Sequence, residues 1–145
     1  MTREVYPMKN ENRVLPVTTD PDTAPFWAAA REERLVIKYC EECDRPIHLP
    51  RAYCPVCRRR SDVWRDASGS GRVYSWTIVE HQVHPGYPTP YTSVLVELAD
   101  HRSVRLLGSL PGRVPLVGGE PVQVWFEHLE NVTIPQWRLV EAGGA

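Results

Sequence analysis

The chain has 145 residues, 17 Lys+Arg against 18 Asp+Glu, and a formal net charge of −1. Hydrophobic residues at 42% and charged residues at 24% are ordinary globular proportions, which argues against wholesale disorder. The charge balance argues against a coat for nucleic acid. No apolar run approaches the roughly 18–20 residues of a membrane-spanning helix, and MTREVYPMKNENR lacks the apolar stretch of a signal peptide, so the expected compartment is the cytoplasm.

Fourteen prolines against nine glycines disfavour long helices, because proline lacks the N–H donor and clashes with the preceding turn. Residues 1–22 are polar and aperiodic and read as an extended arm. TAPFWAAAREER, 23–34, is the best helix segment, with Thr23 as its cap and Pro25 in the first turn. Phe26, Trp27 and Ala30 share one face of that helix, which either packs on the domain or docks a partner. LVIKY, 35–39, reads as a short strand leading into the cysteines. RRRSDVWRDASGSG, 58–71, reads as a linker, basic and then rich in small residues.

From residue 72 the pattern is one of strands. RVYSWTIVE (72–80) alternates with both faces at least partly covered, so Tyr74 and Trp76 are expected mainly in the core. The loop HQVHPGYPTP precedes the strand YTSVLVELA (91–99). VRLLGSL (104–110), PVQVWFEHL (121–129) and TIPQWRLV (133–140) follow, and Pro135 marks the last as an edge or a bulge. Five short strands at this spacing predict a small antiparallel sandwich or barrel, and a five-stranded OB-fold barrel fits the count. The expected division is an arm and helix over 1–34, a ribbon over 35–66 and an OB-fold domain over 67–145.

Cys40, Cys43, Cys54 and Cys57 form C-x2-C, ten residues, C-x2-C. Each pair makes a tight knuckle that aims two sulfurs at one point, and two knuckles surround one ion tetrahedrally. Four thiolates suit Zn²⁺ and leave no open position, so the expected zinc is structural. Two disulfides are the competing reading, disfavoured in a reducing compartment. His48, between the knuckles, is expected beside the cluster rather than as a ligand.

No G-x-S-x-G, H-E-x-x-H or glycine-rich phosphate loop occurs. Glu80, His81 and His84 are the nearest approach to an acid–base group; His81, His84 and Tyr87 otherwise suit the lining of a partner's ligand channel. Arg58, Arg59 and Arg60, with Arg45 and Arg51, make the ribbon locally basic. Guanidinium forks suit phosphates, those of coenzyme A or of nucleic acid.

PFWAAAREERLVIKYC, CEEC–CPVC, SGSGRVYSWTIVEHQVHPGYPTPY, SVRLLGSL and VQVWFE together resemble the DUF35 family of zinc-ribbon OB-fold proteins associated with thiolases, over about residues 22–140. The resemblance implies a mainly β protein: an N-terminal helical segment, a rubredoxin-like zinc ribbon and a C-terminal five-stranded OB barrel. It implies a non-catalytic accessory subunit. Family members bridge acyl-CoA enzymes, pair with lipid-transfer-protein-like thiolases acting as retro-aldolases on steroid side-chain thioesters, or are fused to a hydratase. The implied partners are a thiolase-like subunit and an acyl-CoA, with no membrane. The implied site residues are the four zinc cysteines. Phe26 and Trp27 are the candidates for docking, and Arg58, Arg59, Arg60, His81, His84 and Tyr87 for the acyl-CoA channel. A nucleic-acid-binding zinc-ribbon OB protein is the alternative.

Overall fold

The computed structural model describes residues 13–141; the first part of the expected arm, residues 1–12, lies outside them. Among the described residues one helix, α1 (Ala24–Arg31), precedes eight strands. Thr23 occupies the cap position, but its hydroxyl makes no capping bond. The entry turn is closed instead by Asp20, whose carbonyl accepts from the N–H groups of Thr23 and Ala24 and whose carboxylate accepts from Asp22 N–H. The helix stops where Glu33 adopts a positive φ of 58°. Glu33 N–H then reaches Ala30 O, and Arg34 N–H reaches Ala29 O, which satisfies two terminal carbonyls.

The ribbon sheet has the order β2-β1-β3, from β1 (Val36–Cys40), β2 (Arg45–Pro46) and β3 (Val63–Asp66). β3 falls within the segment expected to be a linker. Four residues rich in charge carry little strand signal, yet they pair with β1 from Val36↔Asp66 to Tyr39↔Val63. Ala67 N–H closes this hairpin onto Leu35 O at 2.8 Å.

The second sheet has the order β6-β5-β4-β7-β8, from β4 (Ser70–Val79), β5 (Tyr91–Leu98), β6 (Arg105–Pro111), β7 (Pro121–His128) and β8 (Thr133–Leu139). β5 alternates cleanly: Thr92, Val94, Val96 and Leu98 are buried, and the residues between them are half-buried. β8 is an edge strand, as Pro135 requires. Side chains close the barrel between β6 and β8. Ser109 N–H donates to Gln136 Oε1 at 3.3 Å, and Trp137 packs so tightly on Gly108 that a Cβ there would lie 2.5 Å from its ring.

Leu35, Ile37 and Tyr39 of the ribbon side share one apolar cluster with Val73, Val94, Val96, Leu98 and Trp137 of the barrel, and Phe26 packs against it. Helix, ribbon strand and barrel therefore meet in a common core. His128 adds a polar tie: its Nε2 donates to the Glu33 carboxylate at 2.9 Å, and its Nδ1 meets the Thr133 hydroxyl at 2.9 Å.

Candidate metal centre and docking surface

The two knuckles are built alike. Each C-x2-C is followed by a residue with positive φ, Asp44 at 48° and Arg58 at 63°, which turns the chain back over its own sulfurs. Asp44 N–H reaches Glu41 O; Arg58 N–H reaches Cys54 O, and Cys54 N–H reaches Arg59 O. The first knuckle is braced from the side. Tyr39 OH donates to Asp44 at 3.0 Å, and Arg65 lies 3.7 Å over the Tyr39 ring and 3.6 Å from the same carboxylate.

All four Sγ atoms lie within 4.8 Å of one another. Cys40 and Cys57 are 3.6 Å apart, and Cys43 and Cys54 are 3.9 Å apart. Those separations are far beyond a disulfide bond. They match the edge of about 3.8 Å expected of a tetrahedron with Zn–S bonds of ~2.3 Å. The thiols respond unequally to their crowding. Backbone N–H groups of Cys57 and Val56 pull Cys54 down to about 6, with Val56 N 3.4 Å from its sulfur. The hydrogen bond from Cys57, with burial, pushes Cys43 up to about 12. A dication relieves that conflict by letting all four sulfurs ionise together. The donor set therefore fits a structural zinc, held by Cys40, Cys43, Cys54 and Cys57 with no open position. His48 stands apart from the cluster, its Nε2 donating to Arg105 O on β6 at 2.9 Å.

The other candidate residues fall into separate places. The carboxylate of Arg59's neighbour Glu42 lies 3.0 Å from its guanidinium, and Arg60 is paired with Asp62 at 3.3 Å. Arg58 has no acidic partner among the described residues. On the barrel, Glu80 does not orient His81; it is clamped by Arg113 through two bonds of 2.6 Å, which holds its carboxyl below the usual range. His84 Nδ1 accepts from Gly86 N–H at 3.0 Å, and its ring meets Tyr87 edge-on at 5.8 Å. Tyr87 OH donates to Val14 O, so this loop pins the arm at Val14. Beside it Arg13 pairs with Glu127. His81 is exposed. Ten residues of β4 separate this loop from the ribbon, and no described contact joins the arginines to the histidines.

Phe26 is half-buried against the core, and Trp27 packs edge-to-face on it at 5.0 Å while lining the clefts on either side. The larger apolar surface is elsewhere. β4 pairs with β7 only from Ser70 to Arg72; Val73 still exchanges backbone bonds with Gly119 and Glu120, and beyond it β4 runs on beside β5. Beyond that point Trp76 and Ile78 are exposed although they pair with the buried Val94 and Thr92 of β5, because β7 has left that side; a bulge between Val73 and Ser75 leaves Tyr74 on the opposite, outer face. Trp76 rests on Gly118, next to Val117, which is 90% exposed. Across the sheet Arg105 stacks 3.8 Å over Tyr74. Alternation alone would give Tyr74, Trp76 and Ile78 one face; neither the bulge nor the point where a neighbouring strand ends is written in the strand itself.

No helix among the described residues is long and apolar enough to cross a membrane. Residues 27–63 match the ChsH2 rubredoxin-like zinc ribbon domain, and residues 64–127 match the ChsH2 C-terminal OB-fold domain. A chain of the solved Ltp2-ChsH2(DUF35) aldolase is similar at 32% identity and a TM-score of 0.76, over 86% of this chain and 98% of that one. A DUF35 protein of unknown function from Sulfolobus solfataricus shares the fold at 19% identity and a TM-score of 0.57, over 73% of this chain and 78% of that one. Two longer proteins match 81% of this chain. One is a probable enoyl-CoA hydratase alpha subunit of Thermomonospora curvata, at 34% identity; the other is the 3-oxo-4,17-pregnadiene-20-carboxyl-CoA hydratase alpha subunit of Mycobacterium tuberculosis, at 30%. The match spans only 37% and 36% of their lengths. With both halves of the fold and the four cysteines accounted for, the chain belongs to the DUF35 family, in its ChsH2-type zinc-ribbon and OB-fold form.

Proposed function

We propose that the chain is an accessory subunit of a cytoplasmic complex acting on acyl-CoA thioesters. It docks on a lipid-transfer-protein-like enzyme of the thiolase superfamily, and the substrate is a steroid side-chain thioester. The observation that carries this reading is the likeness to a chain of the Ltp2-ChsH2(DUF35) aldolase over nearly the whole of that chain. The pregnadiene carboxyl-CoA in the name of the mycobacterial relative supports the substrate class. The reacting nucleophile and bases then belong to the partner. In this chain the cysteines are gathered in one cluster, Glu80 is held by Arg113, and His84 organises its own loop.

The projecting part of β4, with Trp76, Ile78 and the neighbouring Val117, is the docking face for that enzyme. An apolar surface rimmed by charge suits a protein partner better than water. Trp27 is a second contact, and Phe26 supports it from the core side. His81, His84 and Tyr87 lie in the loop continuous with β4 and border the acyl-CoA channel. Arg58, the arginine without a described acidic partner, takes a coenzyme A phosphate more readily than Arg59 or Arg60.

The test is co-expression of the tagged full chain with a thiolase-like subunit, with assembly read by light scattering. A stoichiometric complex is expected, and Trp76→Ser with Ile78→Ser should dissociate it while the circular dichroism spectrum is kept. A chain that stays alone beside every such enzyme of its host would sink the proposal. Salt-sensitive binding to single-stranded nucleic acid would favour the other reading, for which the specific support is Tyr74 beneath Arg105 on an OB strand.

A further inference from the structure

The edge strands of both sheets carry guards. β2 has Pro46, β3 has Arg65 and Asp66, β6 has Arg105 and Pro111, and β8 has Pro135 and Arg138. Proline and charge on an edge keep a second chain from pairing with its unused N–H and C=O groups. The far half of β4 is also an edge, since β7 flanks it only as far as Arg72, yet VYSWTIV from Val73 to Val79 holds neither proline nor charge. Among the described residues, no backbone hydrogen bond joins residues 74–79 to any segment but β5. The connection from β6 to β7 meets this stretch at the Trp76 ring, through Gly118, and at the neighbouring Glu80, through the Arg113 side chain. Every residue from Tyr74 to Ile78 is exposed, on both faces of the sheet. The bulge lies at the start of the stretch, and from Ser75 to Val79 the register with β5 is unbroken.

We propose that this edge is the contact between two copies of the chain, with their β4 strands paired antiparallel about a twofold axis at Thr77. A row of unused backbone donors and acceptors along a straight edge is matched by an extended strand. A second copy brings one of the same length, unpaired and alternating in step. A twofold axis makes the contact self-complementary and closes it at two chains. In this register Thr77 faces Thr77 of the second copy, and Trp76 faces its Ile78 on either side of the axis. Thr–Thr and aromatic–β-branched pairs are both favourable across strands. Trp76 and Ile78 lie on the face that pairs with buried Val94 and Thr92, so the two apolar faces join; Thr77 lies on the other face, beside Ser93. No charge falls between Arg72 and Glu80, so nothing repels at the axis. The pairing does not rest on the functional reading above. An enzyme seated on Trp76 and Ile78 displaces the second copy, and the dimer is the form of the chain on its own.

The test uses the full zinc-loaded chain without any enzyme. Sedimentation velocity from micromolar to millimolar concentration should show monomer giving way to dimer, and amides between Ser75 and Val79 should exchange more slowly as the dimer fills. Thr77→Lys and Thr77→Glu each set like charges opposite one another at the axis, at an exposed position. Each should weaken self-association severalfold at low ionic strength while zinc content and the circular dichroism spectrum are kept. An equimolar mixture of the two variants should associate at least as tightly as the parent, because opposite charges then meet. A chain that stays monomeric at millimolar concentration, a dimer indifferent to Thr77→Lys, protection that rises outside β4 instead, or a mixture no tighter than either variant alone would each overturn the proposal.

Discussion

The ribbon and the barrel solve the same problem in different ways. The distal ribbon has a buried cluster of only Cys40, Ile47 and Cys54, with Cys43 and Cys57 packed against it. The barrel draws Val73, Val94, Val96, Leu98, Val122 and Trp137 into a continuous apolar interior that β1 also joins. Where apolar area is scarce, four sulfur ligands fix the chain; where it is plentiful, strand pairing and side-chain packing suffice. The difference teaches that stability in this molecule is local in kind although the two regions touch.

Removing the metal breaks the comparison most severely. Structural zinc in small modules contributes about 10–16 kcal/mol of apparent binding energy. A strong chelator, or Cys40→Ser, should abolish metal content and unfold the knuckles. Amide exchange should speed up between Cys40 and Ser61, while Val94 and Val96 stay protected. Retained metal in Cys40→Ser would overturn the four-ligand assignment. Uniform loss of protection would show that the ribbon and barrel fold as one unit.

In the barrel, Trp137→Ala should cost about 3–5 kcal/mol, the range for deleting a large buried aromatic, because Trp137 is 2% exposed and closes the gap to β6. Zinc affinity should change little. Gly108→Ala approaches the same seam from the opposite side, forcing its Cβ against the Trp137 ring. Overpacking of this kind costs about 1–3 kcal/mol, read as a lowered denaturant midpoint. A neutral Gly108→Ala would mean that the seam is looser than the packing of Trp137 implies.

The surface predictions are smaller. Arg58→Ala with Arg59→Ala should weaken acyl-CoA affinity severalfold in the complex without altering zinc content; an unchanged affinity removes these arginines from the phosphate role. Arg113→Ala should have the least effect on stability, because its bonds to Glu80 are exposed. Its pH dependence has a definite sign. Glu80 is held below its ordinary range by Arg113, so any stabilisation is present above that range. It fades as pH falls through the lowered value, and wild type and variant should converge in acid.

The chemistry most legible in the sequence is that of the cysteines. Two residues between sulfurs dictate a knuckle whatever the surrounding fold, and Cys40, Cys43, Cys54 and Cys57 converge as their spacing requires. The barrel strands are nearly as plain, because alternation as in β5 reflects one covered face. What the sequence hides depends on neighbours. β3 is too short and too charged to signal a strand, and exists because β1 lies beside it. Trp76 looks like core until the early departure of β7 is known, and Tyr74 until the bulge after Val73 is. Thr23 has the right side chain for a cap, but Asp20 takes over the turn.

The pairing of Tyr39 with Val63 has an architectural consequence. Ser61 Oγ reinforces it by donating to Tyr39 O at 2.5 Å. Everything between them, both knuckles included, is a detour that leaves a β-hairpin and returns to it. A two-residue Asn-Gly turn would close the same hairpin, and Leu35, Ile37 and Tyr39 would keep their places in the core. The metal-bearing segment is thus a removable appendix on a rung of the sheet, which a lineage or an engineer can discard, shorten or replace without rerouting the rest of the chain.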